Sequence, residues 1–276
     1  MVQVKPPRHP FTLRIVIPAS ITRTEATIQL KSIKIGMVAR AASIYRVSEI
    51  VVYRDPDASM RDLVLLEDVL KYLMLPPYLR KKIVPLKKTL RGVGVLPPLR
   101  APPHTVSTKI VPGEYRVGLV VKRRRKLFVD VGLRRLVPLV GEAEAGTIVN
   151  IKVSVLGRKI VAVLEEPEFY WGYNVIVEED LLKTLSTEGL IIATSRRGVP
   201  IKEVLGDIAE RVRGERMVSI IFGSPYKGLY EIADSEGFNL EDHVDYIVNL
   251  IPGQGVETVR TEEAVFAALQ TLTLIS

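Results

Sequence analysis

An all-β block lodged inside an alternating α/β chain limits the possible folds more than any other feature of this sequence. Short β-branched runs at 115–122, 127–131, 136–139, 147–156 and 158–164 follow one another with glycine turns and no helical period. Strands of this length and number close most economically into a small OB-like barrel. On either side, strand and helix patterns alternate. Before the block come a strand at 11–17, a helix at 27–47, a strand at 50–53 and a helix at 60–74 that Ser59 can cap. The first helix is apolar at Ile28, Ile35, Val38, Ala39, Ala42 and Tyr45. After the block come a helical turn at 179–185, strands at 190–194, 218–222 and 246–251, and helices at 201–212 and 261–273. An irregular segment starts at 239–242. Such alternation builds a parallel sheet covered by helices. The chain therefore reads as one α/β domain in two halves, 1–100 and 169–276, with a β-barrel inserted at 101–168.

The connection into the barrel, 75–112, holds eight prolines and reads as extended and stiffened. Arg80, Lys81, Lys82, Lys87, Lys88 and Arg91 are strung along it, and no acidic residue falls between 71 and 100. The whole chain carries +8, yet residues 171–276 carry −8, so the positive charge is gathered in the middle. A surface made for a polyanion, nucleic acid above all, is the better account; a merely solvated basic face is the other. Arg123, Arg124, Arg125 and Lys126 form the turn between the first two barrel strands and are candidate phosphate contacts, or else a hairpin tip kept soluble by charge. Aromatic residues in the barrel are sparse (Tyr115, Phe128), so base stacking is not indicated.

The absence of cysteine excludes disulfides, zinc–thiolate sites and a thiol nucleophile. His9, His104 and His243 are far apart and lack metal-ligand spacing, so no metal is expected. No run reaches the ~18 apolar residues of a membrane helix, and the basic N-terminus has no apolar signal core. The expected location is cytoplasmic.

The second half carries three strand ends that are small or polar: Thr194-Ser195-Arg196, Gly223-Ser224-Pro225 and Pro252-Gly253-Gln254-Gly255. In a parallel sheet the loops at the carboxyl ends of strands converge on one crevice. None of them matches the dinucleotide or NTP glycine fingerprints. The last, 249–261, runs from an apolar strand through two glycines into a helix, which leaves backbone groups free to hold a ligand.

Further segments carry a resemblance: Gly36-Met-Val-Ala-Arg40-Ala-Ala before the strand Glu49-Ile-Val-Val-Tyr53, then Ile220-Ile-Phe-Gly223-Ser-Pro-Tyr-Lys-Gly228-Leu, and Ile251-Pro-Gly-Gln-Gly-Val-Glu-Thr-Val259. Tyr78-Leu-Arg80-Lys and Val95-Leu-Pro-Pro-Leu99 lead to the insertion. Together they resemble the SPOUT class of RNA methyltransferases, in the branch with an inserted OB-like domain. The resemblance covers most of the chain. It implies a trefoil-knotted parallel-sheet domain, S-adenosyl-L-methionine held by the three loops, a homodimer, and rRNA or tRNA as the partner. The residues implied for the cofactor are Thr194, Ser195, Arg196, Gly223, Asn249, Leu250, Ile251, Pro252, Gly253, Gln254, Gly255, Val256, Thr258 and Thr261. Arg40 is implied in catalysis. An arginine is rarely a base, so its role is positioning or phosphate binding.

Two departures bear on the target atom. Lys34 stands where relatives that methylate the ribose 2′-oxygen often carry asparagine, and Arg260 with Glu262 replaces their Asn-x-Ser. Base nitrogen and ribose oxygen therefore both stay open. The rival function is an RNA- or ribosome-binding assembly factor without turnover, and a third is a barrel that docks proteins.

Overall fold

A computed structural model describes residues 3–104 and 109–275, which pack as two units. One takes in His9–Lys71, Lys87–Pro98 and the chain from Tyr173 onward; the other takes in the residues up to Arg8, Tyr72–Leu86 and Leu99–Gly172.

The first unit starts with β1 (Thr12–Pro18) and β2 (Glu49–Tyr53), parallel β-branched runs that are almost wholly buried. Burial on both faces is what a strand covered by helices requires, and it explains their lack of polar alternation. Between them α1 (Ile28–Ile44) is capped by Thr27, whose hydroxyl accepts from Leu30 N at 3.3 Å. Ile35, Val38, Ala39 and Ala42 are buried as expected. Leu30, Ile33, Met37 and Ile44 form a second stripe that stays exposed. After β2, α2 (Met60–Met74) begins at a reciprocal cap: Ser59 N donates to Asp62 Oδ2 at 2.9 Å and Asp62 N to Ser59 Oγ at 3.3 Å.

In the second unit, the connection expected to be extended instead holds a helix, α3 (Pro77–Ile83). Pro77 occupies the first helical turn, where a missing N–H costs nothing and the fixed φ is already helical. The barrel strands are β3 (Tyr115–Arg123), β4 (Lys126–Asp130), β5 (Val137–Val140), β6 (Ile148–Leu156) and β7 (Lys159–Leu164). They close in the order β3-β4-β5-β7-β6, with β5 and β7 parallel and the other pairs antiparallel. The expected five-stranded barrel is thus present. Its interior is Val129, Val131, Val137, Ile151, Val153 and Ala162. Tyr78 of α3 donates its hydroxyl to Val117 O at 2.7 Å and so fixes the helix to β3.

The chain then returns to the sheet. β8 (Asn174–Glu178), a half-exposed edge strand beside β2, was not expected from the sequence, because it is short and has no buried face to print a pattern. Asp180 caps α4 (Leu181–Leu185), accepting from Lys183 N at 2.7 Å. β9 (Leu190–Pro200), α5 (Ile201–Gly214), β10 (Met217–Ile221), α6 (Leu229–Glu236), β11 (Tyr246–Asn249) and α7 (Thr261–Thr273) complete the unit. All six sheet strands are parallel, in the order β11-β9-β10-β1-β2-β8. On one face Val16, Val51, Tyr53, Ile191 and Ile221 pack against Leu181 and Leu185 of α4 and Leu229, Ile232 and Ala233 of α6. On the other, Ile192 and Ile220 meet Ile208 of α5 and Ala268 and Leu272 of α7, which also packs along α1.

Candidate functional site

The first of the three expected loops is not a strand end. β9 pairs with β11 through Ile192 and Ala193, leaves the ladder at 194–198, and resumes pairing at Val199 opposite Val248. The excursion is pinned from inside the sheet, where Thr194 Oγ1 donates to Ile221 O at 2.8 Å. It is pinned from outside by Asn249 Nδ2 donating to Arg196 O at 3.0 Å and by Arg196 Nη1 donating to Glu257 O at 3.0 Å. Gly198 makes the return possible: a Cβ there would stand 2.6 Å from Ile247 O and 2.7 Å from Val248 C. Only glycine lets the two backbones pass so closely.

The second segment links β10 to α6. Ser224 closes it into a turn, its N–H donating to Lys227 O at 2.9 Å and its hydroxyl accepting from Lys227 N at 2.9 Å. Lys227 Nζ lies 3.7 Å from Asp57 Oδ1, beyond the end of β2. Glu231, in the first turn of α6, takes the Arg197 guanidinium on Oε1, while that guanidinium lies 4.6 Å from the centre of the Tyr230 ring. The other oxygen, Oε2, sits over Gly228, where a Cβ would be 2.7 Å away.

The third segment runs from β11 to α7. Asn249 Oδ1 accepts from Ile251 N at 3.0 Å, and Gly253 takes the left-handed conformation at φ 72°. Gln254 Nε2 donates to Val256 O at 2.8 Å and Glu257 O at 3.0 Å, folding the segment on itself. Thr261 Oγ1 donates to Gly223 O at 3.2 Å, which ties the start of α7 to the second segment.

These segments enclose a cleft of about 380 Å³ at the carboxyl ends of β10 and β11 and beside the excursion of β9. Thr194, Ser195, Arg196, Gly223, Asn249, Leu250, Ile251, Gln254, Thr258 and Thr261 line it. Pro252, Gly253, Gly255 and Val256 lie on the same segment without facing the cleft, and Arg40 is exposed on α1 instead. Sequence reasoning missed Arg197, Lys227 and Glu231, all of which face it. A signal for Glu231 was present: Leu229, Ile232 and Ala233 have helical spacing between Gly228 and Gly237, and this places residue 231 in a first turn.

The basic candidates separate by environment. Arg80 is committed to the end of α2, where Nε donates to Leu75 O at 2.9 Å and Nη2 to Leu73 O at 3.1 Å. Lys82 pairs with Asp130, and Lys87 with Asp68 at 2.6 Å. Lys81, Lys88 and Arg91 are exposed, as are Arg123, Arg124, Arg125 and Lys126. At that hairpin tip Arg123 pairs with Lys126, and Arg124 sits at φ 55°, where glycine or asparagine is the usual choice.

Among the described residues no group of three or more His, Asp or Glu could hold a metal ion, and no helix is long and apolar enough to cross a membrane. Comparison with known proteins gives the chemistry a family. Residues 12–272 match a family described as "Putative RNA methyltransferase". An uncharacterized protein of Haloarcula marismortui is 35% identical over 282 residues, which cover 96% of this chain and 99% of that protein. The 28S rRNA (uridine-N(3))-methyltransferase of Drosophila melanogaster is 30% identical over 315 residues, 98% of this chain and 64% of its own. The human protein of the same name is 30% identical over 306 residues, 96% and 78% of the two chains.

Proposed function

Because this chain belongs to the RNA methyltransferase family that it matches over residues 12–272, we propose that it transfers a methyl group from S-adenosyl-L-methionine to N3 of a uridine in large-subunit ribosomal RNA. One observation carries the reading: three backbone-rich segments, 194–198, 223–228 and 249–261, close around a single cleft at the carboxyl end of a parallel sheet. Its volume of about 380 Å³ is within the range of small-molecule sites. The lining suits an adenosyl group, with Leu250 and Ile251 for the ring faces and hydroxyls of Thr194 and Thr261 near the polar parts. The bound donor would supply an electrophilic sulfonium methyl group. What the chain supplies is alignment and exclusion of water, since such a displacement gains most from positioning.

The trefoil knot belongs to this reading. It is supported by β11 lying outside β9 while α7 comes back to pack on α1. So does the homodimer, supported by the exposed stripe of Leu30, Ile33, Met37 and Ile44 on α1, in whose spacing Arg40 falls. A second copy seated there would bring Arg40 toward an interface, where it can position RNA. The basic hairpin tip at Arg123–Arg125 would add phosphate contacts. Sedimentation of wild type and Met37→Glu tests the dimer: a wild type that is monomeric at micromolar concentration removes it.

The function itself is tested by calorimetry with S-adenosyl-L-methionine, followed by transfer of labelled methyl to an unmodified large-subunit rRNA transcript and mass mapping of the product. Binding with incorporation as 3-methyluridine is expected. Binding without incorporation would favour an assembly factor, and absence of binding would remove the enzymatic reading.

A further inference from the structure

We propose that Glu231 is the proton acceptor for the methylated base, taking the acidic ring N–H of a pyrimidine imide as methyl transfer proceeds. This rests on the methyltransferase reading above and names a residue for it. Alkylation of an imide nitrogen needs its proton removed, so the site must offer an acceptor in the cleft. Two carboxylates line it, Glu231 and Glu257. Glu231 is the one built into place. Oε1 pairs with the Arg197 guanidinium, which is itself laid on the Tyr230 ring, and this half-exposed pair favours one orientation of the carboxylate. Oε2 has no hydrogen bond from any described residue and lies over Gly228, a position a side chain would close, with a Cβ only 2.7 Å away. One oxygen is thus paired, and the other is left open on a residue that lines the cleft.

The charged and titratable groups around Glu231 are Arg196 and Arg197 on the β9 excursion, Tyr226 and Lys227 on the preceding segment, Glu257 before α7, and its neighbour Tyr230. Tyr226, 58% exposed at the rim, offers a flat ring beside which a base can lie. In the step, the proton leaves the imide nitrogen for Glu231 Oε2 and its electron pair stays on nitrogen. That pair forms the new N–CH₃ bond, and the donor's S–CH₃ bond breaks with its electrons left on sulfur as a neutral thioether. Glu231 then returns the proton to water.

The test compares wild type with Glu231→Gln, whose amide oxygen can still accept from Arg197, on the unmodified rRNA transcript across pH. At pH 7 the variant should transfer methyl on the order of 10²-fold more slowly. The gap should narrow as rising pH ionises the imide without help, while the thermal midpoint stays unchanged. A short uridine oligonucleotide should also bind wild type more tightly than its 3-methyluridine counterpart, and Glu231→Ala should lose that preference. Equal rates for wild type and Glu231→Gln, or a deficit constant at every pH, would overturn this assignment. A wild type that transfers nothing to the transcript would overturn the methyltransferase reading and the assignment with it.

Discussion

Lys34 Nζ lies 3.6 Å from Glu262 Oε2, and the two side chains are 5% and 3% exposed. The pair joins α1 to the first turn of α7, and Lys34 also donates to Thr24 Oγ1 at 2.9 Å and Glu25 Oε1 at 3.4 Å. The two sequence departures that leave the target atom open are therefore partners of each other. Burial pushes the Glu262 carboxyl above its ordinary range, more strongly than the Lys34 charge pulls it down.

Removing one member should be worse than removing both. Glu262→Ala leaves the buried Lys34 ammonium with only the Glu25 carboxylate, at 3.4 Å, as counter-charge and is expected to cost about 3 kcal/mol. Lys34→Met with Glu262→Leu should recover most of that, since desolvation outweighs attraction for this pair. Urea denaturation of the three proteins decides it. A double variant no more stable than Glu262→Ala would show that the pair itself stabilises the fold.

Gly198→Ala should loosen the cleft without touching its lining. The added methyl group meets Ile247 O at 2.6 Å, so either β11 or the excursion must shift. A cost of about 1–3 kcal/mol is expected. Because Arg196 and Asn249 are bonded across the same place, affinity for S-adenosyl-L-methionine should fall together with stability. Calorimetry giving wild-type affinity would mean that the excursion tolerates displacement.

Neutralising Arg123, Arg124 and Arg125 to glutamine should weaken RNA binding at every sequence and flatten its salt dependence. Each lost phosphate contact lowers the slope of log affinity against log salt by about one. Donor affinity should not change, as these side chains are on the barrel hairpin. An unaltered slope would instead favour the barrel as a protein-docking module.

Acid should destabilise the unit that holds His104. Its Nε2 is 2.9 Å from Met74 O, and its Nδ1 is buried with no hydrogen-bond partner among the described residues. Desolvation lowers the imidazole from 6.5 to about 4. The folded group thus stays neutral where the unfolded one binds a proton, so stability is full above pH 6.5 and falls as pH drops toward 4. The loss over that interval is about 3 kcal/mol. His104→Gln can keep the donor to Met74 and should flatten the fall; hydrogen exchange of α3 and the barrel strands at two pH values measures it.

Much of the fold is legible in local pattern because period and caps are written in neighbouring residues. α2 and α7 span the very residues their periodicity gives, and the barrel strands differ from expectation only at their ends. α3 was missed because eight prolines mask a helix that merely starts with one, and β8 because an edge strand needs no apolar alternation. The glycine-rich segments were legible as backbone-rich loops, and the structure brings them to one cleft.

By itself, then, the sequence determined an α/β chain with an inserted barrel, a basic middle and three backbone-rich segments in its second half. Only the tertiary structure decided that β9 continues past its excursion, that Arg197 holds Glu231 at the cleft, and that Lys34 meets Glu262. The physical reason is distance along the chain. Periodicity and capping act between residues a few positions apart. Ion pairs and close backbone passages join residues that only the order of parallel strands brings together.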